Sequence, residues 1–428
     1  MAQATVESKP NVTETPKART PGGEFWKAAL NSLSIPVLAI FTALVFSGLI
    51  IAFSDPDVLS LLPNFAAQPV QVLGAIWDSI WISYIALFQG AFGDPAAMVS
   101  GFQTWSSTGN AVPLLRALRD PAESLVSATP YIFTGLAVAV GFKGGLFNIG
   151  VEGQLYAGAI LATLVGYTVT GMPWFIHLPL ALAVGFIGGA LWGAIPGYLK
   201  AARGVNEVIN TIMLNYVIFR FADWVVGPNG PMNAGGGAPR SPGVLESAML
   251  PQFLPDPVRL HWGFPLAIGA VFFVYWLLWK TTIGFEIRTV GASPTAAKYA
   301  GMGVGKIFVL TMALSGGLAG LGGANELLGL NHYFASAFSP GYGFDAIALA
   351  LLGKSNPFGV LASALLFGAL RNGATRMQSI AGVPVDIISV MQALIIAFIA
   401  APEIVRWIYR LRVPAQKDRE VFARGWGG

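Results

Sequence analysis

The chain reads as an all-α protein: a polytopic membrane helix bundle of about ten transmembrane spans with both termini cytoplasmic. Three observations carry that reading. Of 428 residues, 54% are hydrophobic and 11% charged, too little polar surface to cover a water-soluble domain of this size. Apolar runs long enough to cross a bilayer recur from Leu33 to about residue 405. Lysine and arginine are shared unequally between alternate connections, and that bias orients the bundle.

Taken in order, residues 1–28 are a polar cytoplasmic tail rich in Pro, Thr, Glu and Lys, with the composition of a disordered segment. Residues 29–410 form the transmembrane domain. Its first run, Leu33 to Phe53, exceeds the apolar core of a secretory leader and should stay as an anchor. Further spans are expected near 122–142, 148–169, 178–199, 208–226, 263–280, 306–329, 343–352, 358–370 and 386–405, the two short ones broken by Gly353-Lys354-Ser355-Asn356-Pro357. The segment 72–92 carries Asp78, Gln89 and several Trp and Tyr residues, which suits an external or interfacial helix. Residues 281–305 form a cytoplasmic loop, and 411–428 a cytoplasmic tail.

With that arrangement eighteen of the 25 basic residues fall on cytoplasmic segments. Six fall outside (Arg116, Arg119, Arg240, Arg259, Arg371 and Arg376), and Arg220 sits in a span beside Asp223. The net charge of +4 is dispersed among apolar segments, so it marks topology and gives no nucleic-acid surface. Cysteine is absent, which removes thiolate metal sites and a Cys nucleophile. The three histidines are far apart, and neither a Ser/His/Asp nor an HExxH pattern occurs. Gly353-Lys354-Ser355 resembles the end of a phosphate loop, but Ala348 stands where its leading glycine belongs. Gly301-x-Gly303-x-Gly305 lacks the strand-turn-helix setting of a dinucleotide fold. No enzymatic activity, metal or cofactor is therefore expected.

Polar residues inside spans are the candidates for function, because a charge at bilayer depth costs several kcal/mol. They are Asn148, Glu152 and Gln154; Glu207, Asn210 and Asn215; Asn325 and Glu326; and Asp345. Their amides and carboxylates could recognise a polar solute, or they could cap broken helices and join neighbouring spans. Gly185, Gly189, Gly193 and Gly197 share one face of a span, as do Gly316 and Gly320, which lets helix backbones approach closely. In the 281–305 loop, Ser293 is placed to cap a two-turn helix with Pro294 at its first position and Gly301 closing it.

The run Gly145-Leu146-Phe147-Asn148-Ile149-Gly150-Val151-Glu152-Gly153-Gln154 is similar to a motif of the integral membrane permeases of bacterial ABC importers, in the branched-chain amino acid, ribose and nucleoside group. Asn206-Glu207-Val208-Ile209-Asn210-Thr211-Ile212-Met213-Leu214-Asn215-Tyr216 resembles the pattern of the nucleoside, or simple-sugar, branch. Gly284-Phe285-x-Ile287-Arg288-x-Val290-Gly291 with Pro294-x-Ala296-Ala297-x-Tyr299-Ala300-Gly301 resembles that family's cytoplasmic loop, and Gly343-Phe344-Asp345-Ala346-Ile347-Ala348 its late half-helix. The likeness spans roughly residues 120–405.

The resemblance implies a permease subunit of the bacterial inner membrane that moves nucleosides inward and leaves ATP hydrolysis to cytoplasmic ABC ATPase partners. It further implies a second permease subunit, identical or homologous, and an extracytoplasmic substrate-binding protein. Arg288, Gly291, Ser293, Pro294, Ala296, Ala297, Tyr299 and Gly301 would couple to the ATPase, and the polar span residues above would line or gate the path. Two alternatives remain: the same importer class for ribose-like sugars, or an ion-coupled secondary transporter using Glu152 and Asp345.

Overall fold

The computed structural model describes residues 21–410; the tail expected at 411–428, and most of that expected at 1–28, lie outside them. In chain order the helices are α1 (Pro21–Ser54), α2 (Pro56–Leu61), α3 (Pro69–Phe92), α4 (Pro95–Thr108), α5 (Val112–Lys143), α6 (Val151–Thr168), α7 (Trp174–Arg203) and α8 (Glu207–Val226). After a long connection come α9 (Gly263–Lys280), α10 (Thr282–Ala292), α11 (Pro294–Tyr299), α12 (Val304–Glu326), α13 (Tyr342–Leu352), α14 (Pro357–Ala381), α15 (Val385–Ala400) and α16 (Pro402–Ile408). No strand occurs among the described residues, only isolated bridges such as Arg240 with Ala335.

Helix starts follow one local rule. Asp55-Pro56, Asp94-Pro95, Ser293-Pro294 and Asn356-Pro357 each put a capping side chain before a proline at the first helical position. The cap accepts an otherwise orphaned N–H, and proline lacks one to orphan. At the far ends, Gly109, Gly204 and Gly382 adopt the left-handed conformation that closes α4, α7 and α14.

The expected ten spans are not confirmed. Among the described residues six helices are long and apolar enough to cross a membrane, or seven if α15 and α16 make one span bent by 87°. The shortfall has a physical cause. Helices α6, α8 and α14 have the length, at 18, 20 and 25 residues, but their polar residues keep them below the apolarity of the six. Helix α13 has 11 residues, roughly 16 Å of rise and about half a bilayer. The run expected as one span at 386–405 breaks before Pro402, which cannot donate to the preceding turn.

Helix α3 covers the segment expected to be external or interfacial, and by length and composition it could also cross. Val70, Leu73, Trp77, Trp81, Phe88 and Phe92 leave an apolar face exposed along it. Its other face packs on α14, where the Asn372 amide donates to the Gly90 carbonyl at 2.8 Å.

Helix α5 runs through the middle of the bundle, buried almost without interruption from Ala122 to Gly141 and touching α14, α12, α13 and α9. Beside it, α7, α12 and α6 meet along the glycine stripes. A Cβ on Gly189 would lie 2.1 Å from the Gly316 carbonyl oxygen, and one on Gly158 2.3 Å from the Gly320 Cα. Only hydrogen fits there, so the helix axes approach closely and dispersion replaces the hydrophobic drive that lipid removes.

Candidate functional site

The turn 144–150 between α5 and α6 is built on backbone contact. Gly145, at φ +70°, lies against Gly291, whose own Cβ would sit 2.1 Å from the Lys143 carbonyl. Beyond it the Asn148 amide donates to Gln154 at 2.8 Å and to the Ser315 hydroxyl at 2.9 Å, while its oxygen accepts the Gly150 N–H at 3.0 Å. Ser315 in turn donates to the Ala137 carbonyl. Asn148 and Gln154 are thus buried and mutually satisfied, and they tie α5, α6 and α12. Asn215 does the same from α8, accepting the Gly153 N–H at 2.9 Å and donating to the Ile149 carbonyl at 3.0 Å.

Glu152 is placed differently. Its carboxylate accepts the Gly343 N–H in the first turn of α13, and Ser339 hydrogen-bonds the same group. A buried acid on α6 therefore caps a half-helix from another part of the chain, where the positive end of the helix dipole favours it.

Around that helix start lies a second set. The Tyr131 hydroxyl, on α5, donates to Asp345 Oδ2 at 2.8 Å. Arg371, on α14, donates to the same hydroxyl oxygen at 3.2 Å and lies 5.7 Å above the Tyr342 ring. The two tyrosine rings meet edge to face, 5.0 Å apart. Glu326, from the end of α12, hydrogen-bonds Tyr342 and lies in the field of Arg371 and Arg259. Five helices converge here. Next to it Tyr156 packs against Phe338 at 4.7 Å and Phe219 at 5.0 Å.

Other residues expected at the site lie apart from this cluster. Glu207 opens α8, whose cap is Asn206, and pairs with Lys200 at the end of α7. Asn210 buries its Nδ2 without a partner, as does Asn325. Asn325 borders Gly263, which also lies against the His261 ring. Burial pushes the His261 imidazole down to about 4, with His332 adding to the shift. Arg220 and Asp223 form a local, exposed pair at 3.2 Å.

In the loop 281–305 the helix α11 has the expected cap, with Ser293 Oγ accepting the Ala296 N–H at 3.3 Å, and Gly301 follows it at φ +81°. Ala297 is buried, Tyr299 is 90% exposed, and Arg288 lies over the Trp279 ring at 5.9 Å. Pro294, Tyr299, Lys298, Lys200 and Phe308 line a groove of roughly 800 Å³. Helix α10 is not legible as a helix in the sequence, since Gly284, Gly291 and Thr281-Thr282 read as loop.

Sequence reasoning also misses Tyr131, Tyr342, Arg371 and the Glu123–Arg259 ion pair, which closes through two hydrogen bonds at 2.6 and 2.7 Å. Arg371 counts as an external charge in the sequence because the apolar run ends at Leu370. The helix continues to Ala381, and that continuation carries Arg371 into the bundle.

Residues 121–401 match the family model for the branched-chain amino acid transport system permease component. The guanosine ABC transporter permease protein NupP of Bacillus subtilis is 43% identical over 290 residues, covering 67% of this chain and 82% of its own. The glucose ABC transporter permease protein TsgB13 of Haloferax volcanii is 37% identical over 307 residues, or 69% of this chain and 79% of its own. The nucleoside ABC transporter permease protein NupB of Lactococcus lactis is 36% identical over 320 residues, or 73% and 86%. No solved structure matches.

Proposed function

Since the chain belongs to the permease family of the branched-chain amino acid transport systems, we propose that it is the membrane subunit of an ATP-driven importer that carries nucleosides across the bacterial inner membrane. The observation that carries the substrate class is the likeness to two permeases named for guanosine and nucleosides, over 67% and 73% of this chain. The subunit opens and closes a path, and cytoplasmic ATPase subunits supply the work. A binding protein outside delivers the solute, and a second permease subunit completes the channel.

The geometry supports a path at the start of α13. Irregular backbone at bilayer depth is tolerated where it is buried in protein or lines a polar cavity, and residues 332–341 before α13 form an irregular, largely half-buried segment suited to such a place. Glu152 and Asp345 hold the first turn of α13 to α6 and α5. Moving these helices relative to one another exposes or covers that turn. Helix α11, with its exposed Tyr299, offers the ATPase a docking helix.

A second reading is the same importer for simple sugars, favoured by the likeness to the glucose permease protein. One experiment separates these readings from each other and from ion coupling. The permease is reconstituted with its ATPase, partner permease and binding protein, and uptake of radiolabelled guanosine is followed with ATP or with a proton gradient alone. ATP-dependent uptake blocked by unlabelled nucleoside but not by glucose is expected. Uptake driven by the gradient alone would overturn the importer reading, and competition by glucose would transfer it to sugars.

A further inference from the structure

We propose that Tyr131 and Arg371 are positioning residues of the translocation site: they form a latch that holds α13 shut against α5 and α14, and its release precedes passage. The inference rests on the importer reading above.

The argument starts from what α13 lacks. At 11 residues it is too short to cross and has little intrinsic stability. Its position must therefore come from its neighbours, and at its first turn these are polar. The Tyr131 hydroxyl is the hub: it donates to Asp345 on α13 and accepts from Arg371 on α14. Arg371 also rests on the Tyr342 ring, and Glu326 holds the Tyr342 hydroxyl from α12. Each of these bonds joins two different helices, so relative motion of α5, α13 and α14 cannot occur with the set intact.

Two features favour a releasable contact over permanent packing. Asp345 and Arg371 are only partly buried, whereas Tyr131 and Tyr342 are buried, so the charged ends face the open side. The two bonds at Tyr131 share a single hydroxyl, so one small displacement breaks them together.

The chain contains no cysteine, so one introduced thiol reports opening directly. Ala346, the residue after Asp345, is fully buried and takes Cys with little change of volume. Tyr131→Phe removes the hydroxyl and keeps the ring contacts to Tyr342 and Phe367. In the reconstituted transporter, A346C should react with a small thiosulfonate about tenfold faster when combined with Y131F, the range expected for losing a hydrogen bond to a charged group. Asp345→Ala should accelerate labelling similarly, and Y131F with D345A should do no more than either alone. ATP hydrolysis without solute should rise while uptake per ATP falls.

An unchanged labelling rate in Y131F, or additive effects in the double variant, overturns the latch. If the unmodified transporter shows no ATP-dependent uptake, the importer reading fails instead, and the labelling comparison still decides whether Tyr131 holds α13.

Discussion

Glu152 on α6 accepts the backbone N–H of Gly343, 191 residues away, and so caps a helix whose own segment offers only Ser339, its Oγ 3.4 Å from the Tyr342 nitrogen. The residue before α13 is Gly341, in the left-handed region, with nothing to offer the exposed N–H groups.

Replacing Glu152 by Ala should therefore leave the Gly343 N–H of α13 without its acceptor. The cost is about 1–3 kcal/mol for a buried donor without a partner. Uptake should fall about tenfold or more with the protein still in the membrane, and Glu152→Gln, which keeps an acceptor, should recover much of it. Equal loss in both variants would show that the charge itself is required.

The Asn148 network should respond differently. Asn148→Ala strands Gln154 and the Gly150 N–H inside the bundle and leaves Ser315 only its bond to Ala137. We expect a stability loss of about 1–3 kcal/mol, read as lower thermal stability in detergent. A normal melting temperature with abolished uptake would reassign the residue to the path.

A pair of glycines tests the packing seam. Gly189→Ala forces a methyl into the Gly316 carbonyl and should destabilise by about 1–3 kcal/mol. A Cβ on Gly269, in α9, would meet nothing within 4 Å, and Gly269→Ala should be neutral or slightly stabilising. Melting both variants side by side checks the contrast.

His261 predicts an acid limit on stability. Its folded imidazole is held down to about 4 by burial, against an ordinary value of 6.5, so the unfolded chain binds the proton more readily. Its contribution is present above pH 6.5 and is lost as pH falls toward 4, by roughly 3 kcal/mol. The melting temperature should drop across that window, and His261→Asn should flatten the drop.

Tyr299 tests the docking face. Being almost wholly exposed, Tyr299→Ala should leave the stability within about 0.5 kcal/mol of the parent. ATP-dependent uptake and co-purification of the ATPase should both fall. A variant that binds and works normally would remove this residue from the interface.

Much of the framework can be read from the sequence, because local rules write it: the Ser293-Pro294 cap and the four-residue glycine stripes both stand as expected. The convergent cluster cannot. Tyr131 sits in an apolar run where a hydroxyl attracts no notice, and its partners lie more than 200 residues away. Arg371 looks external because hydropathy ends at Leu370 while the helix does not. Long-range pairing of this kind leaves no periodic trace. The expected count of ten is not reached for a related reason: α6, α8 and α14 carry polar residues that lower their apolarity.

The bare contact between Gly145 and Gly291 has a mechanical meaning. Across most helix junctions, side chains can change rotamer and soak up a small shift. Here Gly291 rests on the main chain of residues 143–145, with no side chain between them. Six residues after Gly145 begins α6, whose Glu152 grips α13. A stroke delivered to α10 has no cushion at that joint, so the turn behaves as a stiff bearing between the 281–305 loop and the half-helix.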